Sequence, residues 1–333
     1  MKEDGKGMII LSSLRFDEQQ LHSIDADIIL FNGGHGGTKD NLGPFDGNLD
    51  ICTEIQAKQV EGVICLRYAL TPALFQKFPN LKWIQLMSIG FDKIPKEEIL
   101  SRKITLTNAR GSSNIPLAED AVCKLLMMAK NYDFYMHNQK EHCWKTGEAS
   151  MELMGRKAVV LGAGAIGREV IQRFSALGME VSAYDIFPTD YPLIRKLYLN
   201  RRELLETLHE YDCIVATMPL TRKTANFIDA EFLRCVKNGA YLINIARGGL
   251  VDMDAVCAAL RSGRLCKAAV DVMPTEPLPA NSPYWDCANL YITPHQAYKG
   301  DRTVDRLKEI SLDNIRRYIA QQPLNYVVNL ENE

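Results

Sequence analysis

Arg247, Glu276 and His295 are the residues whose types combine best into chemistry. A histidine, with an ordinary pKa of about 6.5, gives or takes a proton near neutral pH. A neighbouring carboxylate fixes the ring and favours its charged form. A planar guanidinium grips a carboxylate through two parallel hydrogen bonds and polarises a carbonyl beside it. Together they suit the reduction of a keto group next to a carboxylate. Hydride reaching the carbon builds negative charge on the oxygen, and a proton must follow. Each residue alone has a plain alternative: His295 as a satisfied loop histidine, Glu276 as a helix-end carboxylate, Arg247 as a surface partner of Asp252.

All three follow strand patterns. Arg247 comes three residues after a strand at 240–244, Glu276 follows one at 267–272, and His295 follows one at 290–293. In an open parallel sheet ligands bind beyond the carboxyl ends of the strands, so the three can converge on one edge.

The same edge carries a glycine turn. A buried-strand pattern at 157–161 runs directly into Gly162-Ala-Gly164-Ala165-Ile166-Gly167, and a helical pattern at 166–177 follows. Gly162 permits the strand-to-helix turn, Gly164 lets backbone approach a pyrophosphate, and Gly167 lets helix and strand pack closely. The helix N-terminus then offers free N–H groups to phosphate. The next strand, 180–184, ends on Asp185, eighteen residues after Gly167. A carboxylate there accepts both ribose hydroxyls and repels a 2′-phosphate. No Arg follows within the next few residues, so NAD (NADH) is favoured over NADP. The alternative is a structural glycine turn with a capping Asp.

Around these motifs, short β-branched runs alternate with helical patterns, as in parallel sheets with helical crossovers. Residues 62–66, 83–86 and 105–108 read as strands, and Thr71 caps a helix with Pro72 in its first turn. One long helical pattern runs from Pro116 to about Lys140, and the last helix spans about 302–321, before an extended tail at 326–330. The length of 333 residues accommodates two cores. Hydrophobic and charged shares of 47% and 24% are those of a globular protein. A formal charge of −2 gives no reason to expect nucleic acid or an anionic membrane as partner. Residues 1–7 are polar, and the apolar stretch after them is too brief for a signal peptide. Nine scattered Cys with no Cys-x-x-Cys pair suggest reduced, mostly buried thiols in a cytoplasmic protein, and no metal site. Gly33 to Gly37 lacks the Lys-Ser/Thr ending of a triphosphate loop and reads as a turn.

These motifs, with Met218-Pro-Leu-Thr221, Asn244 to Asp252, Asp271 to Pro277 and Thr293-Pro-His295, resemble the D-isomer-specific 2-hydroxyacid dehydrogenases. That family includes glyoxylate/hydroxypyruvate reductases, D-lactate dehydrogenases and phosphoglycerate dehydrogenases. The resemblance runs from about Val63 to Asn329. It implies an α/β fold of two domains, with a Rossmann-like doubly wound coenzyme domain (113–297) inserted into a flavodoxin-like substrate domain (1–112 and 298–333). It implies that His295 is the acid/base, Glu276 its partner, and Arg247 the binder of substrate carboxylate and carbonyl. Asp271 would bond the nicotinamide carboxamide, and Thr217 and Pro219 would line the adenosine side. Gly162, Gly164, Ala165, Ile166, Gly167, Asp185, Ile245, Ala246 and His295 complete the cofactor set. Ser88-Ile89-Gly90 matches the family's turn for the substrate carboxylate, and Arg67, Tyr68 and Tyr298 fall where substrates are selected. For Arg67 a surface salt bridge is an equal alternative. The substrate would be a small 2-keto or 2-hydroxy acid, and the 116–145 region would form a homodimer interface.

Two departures stand out. Gln296-Ala297-Tyr298-Lys299 replaces the small residues usual after the histidine, and segment 33–47 matches nothing in the family. Three rivals remain. A non-enzymatic NADH sensor, like the C-terminal binding protein corepressors, can keep the trio. Formate dehydrogenase chemistry resembles a site with Gln in place of Glu276. An L-specific lactate or malate dehydrogenase would place its glycine turn near the N-terminus, not at Gly162.

Overall fold

The alternation of β-branched runs with helices produces two separate parallel sheets. In a computed structural model, residues 7–22, 24, 26–30, 49, 52–147 and 149–330 are described. The glycine-rich stretch 33–37 and the wider segment 33–47 lie outside them. The chain divides into one unit of Met1–Ser113 with Gly300–Glu333, and a second of Asn114–Lys299.

In the first unit, β1 (Ile9–Ser12), β2 (Asp27–Leu30), β3 (Val60–Cys65), β4 (Trp83–Leu86) and β5 (Thr105–Thr107) form a sheet of order β2-β1-β3-β4-β5. All its pairings are parallel, the flavodoxin-like order. Both faces are buried, which explains why these strands read as continuous apolar runs. Ile9, Leu11, Val63 and Cys65 join one core, while Ile10, Ile64 and Trp83 join another on the opposite face. The helix Thr303–Ile319 returns to this second face, where Tyr318 stacks on Trp83 at 5.3 Å. A buried polar network fixes the return. The Gln85 Oε1 accepts from the Thr107 hydroxyl and the Asn314 amide, both at 2.8 Å. Asn314 also holds both backbone groups of Asn325, so the tail reaches the sheet edge and Val327 bridges Thr107.

The second unit contains β6 (Lys157–Leu161), β7 (Glu180–Tyr184), β8 (Leu197–Tyr198), β9 (Cys213–Ala216), β10 (Ala240–Asn244), β11 (Leu265–Val270) and β12 (Leu290–Ile292). Their order is β12-β11-β10-β9-β6-β7-β8, again all parallel. The order reverses between β6 and β9, the kind of switch point where α/β sheets bind ligands. One register row crosses the whole sheet: Tyr198, Tyr184, Leu161, Ala216, Asn244, Val270 and Ile292 are successive partners. Every loop that leaves this row starts from the same level. At the other end of the strands, Asp212 accepts from Lys237 at 2.7 Å and from the Lys157 N–H at 2.9 Å. Burial pushes its carboxyl up, but Lys237, that N–H and Arg156 outweigh it and hold the pKa below the usual range.

Two expectations change. The helical pattern from Pro116 to Lys140 is two helices, Asn114–Ala129 and Tyr132–Lys140, separated by Asn131 in the left-handed region at φ 55°. Asn tolerates that conformation, and Lys267 of β11 fixes it by donating to Asn131 and to Asp133 at 3.1 and 2.9 Å. The cysteines are all free, but only Cys65, Cys213 and Cys257 are buried. Burial pushes the Cys65 thiol up to about 12, far from a nucleophile's range. Among the described residues no helix is long and apolar enough to cross a membrane.

Replacing Asn314 with Ala takes one of the two donors from the buried Gln85 Oε1 and both side-chain partners from the half-buried Asn325 backbone. We expect a loss of about 2–3 kcal/mol, read as a lowered denaturation midpoint. A melt indistinguishable from that of the parent chain would show that the helix holds the sheet without this network.

Candidate active site

The glycine turn leaves β6 at Leu161 and enters the helix Ala165–Ala176. A Cβ at Gly167 would lie 1.8 Å from the Gly162 carbonyl oxygen, so only glycine permits this approach of helix to strand. Thr217, one residue past β9, donates its hydroxyl to that same carbonyl at 2.8 Å and braces the turn. At Gly164, the helix N-cap, an added Cβ would meet nothing within 4 Å. No side chain caps this helix, and its first turn holds no acidic residue. Its first N–H groups therefore face open space with the positive end of the helix dipole, a fit for a diphosphate. Asp185 is the first residue after β7. Its carboxylate accepts from the N–H groups of Ala163 and Phe187 at 2.8 and 3.1 Å, leaving lone pairs for further donors.

At the other half of the row, β11 ends at Val270, two residues earlier than expected, so Asp271 is the first residue beyond it. Asp271 is only 2% exposed, and its carboxylate takes three donors. These are the Thr293 hydroxyl at 2.6 Å and the N–H groups of Gln296 and Ala297, both at 2.9 Å. Its backbone carbonyl accepts the His295 N–H at 2.7 Å. Asp271 thus organises the histidine loop from both ends. Its charge also reaches Asp120, whose carboxyl burial raises, with Lys124 opposing and Asp271 adding to the rise.

His295 sits at φ 52°, a conformation that costs a non-glycine residue energy and persists only where its surroundings impose it. Its Nδ1 lies 2.7 Å from the Glu276 Oε2, while the Glu276 Oε1 accepts the Met273 N–H at 2.9 Å. The carboxylate is therefore fixed by backbone on one side and orients the imidazole with the other. Tyr298 stands edge-on to the ring at 6.0 Å. Arg247 follows β10 on an extended backbone that Asn244 holds. The Asn244 side chain accepts from the Ala246 N–H and donates to the Arg247 carbonyl, both at 3.0 Å. Next to it, a Cβ on Gly248 would lie 2.0 Å from the Met273 carbonyl carbon, so glycine lets the arginine loop rest on the loop that carries Glu276.

In the first unit, β3 and β4 pair with Cys65 beside Leu86. Arg67 and Tyr68 follow the first in a short 3-10 turn, and Ser88, Ile89 and Gly90 follow the second. Asn108 fixes that second turn by donating to the Ile89 carbonyl at 2.9 Å, and the Ser88 hydroxyl donates to the Gly90 carbonyl at 2.7 Å.

Residues 122–297 match the family model described as "D-isomer specific 2-hydroxyacid dehydrogenase, NAD binding domain". The chain belongs to the D-isomer specific 2-hydroxyacid dehydrogenase family. It carries that family's NAD-binding domain. A glycerate dehydrogenase of Methylorubrum extorquens is 30% identical over 76% of this chain and 80% of its own length. An (S)-sulfolactate dehydrogenase of Chromohalobacter salexigens is 32% identical over 74% and 80%. The chain spans about half the length of the D-3-phosphoglycerate dehydrogenases it matches, such as that of Mycobacterium tuberculosis at 31% identity and 48% of its length. Among solved structures, a family protein of Aeromonas salmonicida superposes with a TM-score of 0.79 at 26% identity, covering 98% of this chain and 99% of its own. The D-lactate dehydrogenase of Aquifex aeolicus, solved with NAD and lactic acid, gives 0.72 at 25% identity over 94% and 96%.

For this 2-hydroxyacid dehydrogenase homologue, sequence reasoning missed Asn244 and Asn108. Both are buried amides at a strand's carboxyl end, and the signal was present: a polar residue closing an apolar strand needs a partner. Also missed were the bracing bonds of Thr217 and Asp271, expected as cofactor residues: the first holds the Gly162 carbonyl, the second the Thr293 hydroxyl and the Gln296 and Ala297 N–H groups.

The Asp271 hub makes a direct prediction. Asp271→Ala loses three donors on a buried carboxylate, each worth about 1.5–3 kcal/mol. The Asp271→Asn variant, which keeps one acceptor oxygen, should fold with faster amide exchange at residues 295–297. Unchanged exchange at those amides would show that the loop stands without the carboxylate.

Proposed function

We propose that this chain is an NAD(H)-dependent oxidoreductase that interconverts a small 2-keto acid and the D-isomer of its 2-hydroxy acid. The observation that carries the reading is the His295–Glu276 pair at 2.7 Å, on the strand row that also bears the uncapped glycine turn. The nicotinamide, when bound, supplies or accepts the hydride. Glu276 accepts from the Nδ1–H, which leaves the Nε2 of His295 as the atom that gives a proton to a developing alkoxide and takes it back in reverse. Glu276, held by the Met273 N–H, fixes the orientation of the imidazole. Arg247 grips the substrate carboxylate and polarises the carbonyl. Asp185 accepts the ribose hydroxyls and favours NADH over NADPH. Arg67, Tyr68, the Ser88–Ile89–Gly90 turn and Tyr298 are the residues we assign to substrate selection.

The test is a steady-state screen of glyoxylate, hydroxypyruvate, pyruvate and branched or aromatic 2-keto acids with NADH. Saturable turnover should appear with at least one, and His295→Ala should cut it by about 10²-fold or more while NADH still binds. Arg247→Lys should also lose most activity, because Lys cannot reproduce the two parallel bonds. Tight NADH binding without turnover of any acid would overturn the enzyme reading in favour of an NADH sensor.

We further propose a homodimer through residues 116–145. Tyr132 and Met136 on the second helix of that region are 58% and 50% exposed, and Trp144 is fully so, an apolar surface unusual for a lone chain. Sedimentation should give twice the chain mass of 37.5 kDa, reverting to one chain in a Tyr132→Glu, Trp144→Glu variant. A monomeric parent protein sinks the idea.

A further inference from the structure

Ala163 lies between Gly162 and Gly164, and two side chains of opposite charge hold it. Asp185 accepts its N–H at 2.8 Å, and the Nε of Arg168 donates to its carbonyl at 3.2 Å. Arg168 comes from the first turn of the helix Ala165–Ala176 and is exposed. Its Nη2 donates to the Thr189 hydroxyl, and its guanidinium lies over the Tyr191 ring at 5.5 Å. Thr189 and Tyr191 belong to the connection that Asp185 begins. A carboxylate and a guanidinium therefore flank one residue of the glycine turn and share the segment that follows β7.

We propose that Arg168 is a specificity residue for the ribose end of the cofactor, a latent partner for a 2′-phosphate that Asp185 otherwise repels. The proposal rests on the NAD(H) site described above. Three physical points carry it. A guanidinium matches phosphate geometry with paired donors. The groups that hold this one are neutral, namely a hydroxyl, a carbonyl and an aromatic ring, so turning it toward a phosphate gains charge-assisted bonds and breaks no ion pair. It is also fixed to the residue that Asp185 holds, so the two charges act on the same ligand position with opposite sign. Discrimination against NADPH is then a balance of two side chains, not the work of the carboxylate alone. The arginine escapes a search along the sequence after Asp185, because it lies upstream, on the helix.

The alternative role for Arg168 is a plain brace on the glycine turn, and a brace would serve both cofactors alike. The experiment measures equilibrium dissociation constants of NADH and NADPH for the full chain, from cofactor fluorescence, with circular dichroism to confirm folding. Asp185→Ser should tighten NADPH relative to NADH by about tenfold or more. Adding Arg168→Ala to that variant should remove most of the gain, with NADH changing by less than about threefold. Adding Arg168→Lys instead should keep part of it. If Arg168→Ala weakens both cofactors by the same factor, or changes neither, Arg168 does not read the 2′ position and the proposal fails while the NADH site stands. If the parent chain binds neither cofactor, the NAD(H) reading fails and takes this one with it.

Discussion

The arrangement at the carboxyl edge of the second sheet depends on one buried carboxylate. Asp271 is withdrawn from water at a cost of several kcal/mol and is met by a hydroxyl and two backbone N–H groups. Hydrogen bonds to a charged group contribute about 1.5–3 kcal/mol each, so three of them offset the desolvation. They also offset the strain of about 1–3 kcal/mol that a left-handed non-glycine residue carries. Without those bonds the chain after Thr293 has no reason to turn through φ 52° at His295. With them, the imidazole is aimed before any ligand arrives.

That aim matters only because neighbouring loops leave the sheet at a common level. The register row from Tyr184 to Ile292 places Asp185, Thr217, Ile245, Asp271 and Thr293 each one step beyond their strands. From β6 to β12 the row crosses four strand spacings, roughly 19 Å. An extended ligand can therefore engage the glycine turn at one end and the histidine at the other. Gly248 closes the middle: its missing side chain brings the Arg247 loop onto Met273, whose N–H anchors Glu276. Arginine, carboxylate and imidazole are thus connected through backbone, so each one's position constrains the next.

Much of this was legible in the sequence, and the parts that were not share a cause. Lys157–Leu161, Glu180–Tyr184 and Ala240–Asn244 are strands at the residues where apolar runs place them, because strands buried on both faces leave no other signal to confuse them. The glycine turn and the acidic residue after β7 were likewise readable, since their spacing is local. What escaped was decided through space. The break at Asn131 depends on Lys267, more than a hundred residues away. The bracing roles of Asn108 and Asn244 depend on which backbone groups lie opposite a strand end. The bonds of Thr217 and Asp271, residues that the family resemblance assigns to the cofactor, likewise depend on which loops lie opposite them.

The two ends of the row also differ in electrostatic sign, and that difference follows from how each end is built. At β6 the positive field comes from an uncapped helix terminus, joined by Arg168, with Asp185 the local exception. At β11 and β12 two carboxylates are fixed by backbone N–H groups, Asp271 within the histidine loop and Glu276 against the imidazole. Arg247 stands between, on an extended loop held by Asn244. Under the proposed reading a small anion meets the guanidinium of Arg247, away from the carboxylate that orients His295. Positive and negative side chains are therefore separated along one sheet edge. Moving either charge would disturb a backbone hydrogen bond before it altered the chemistry.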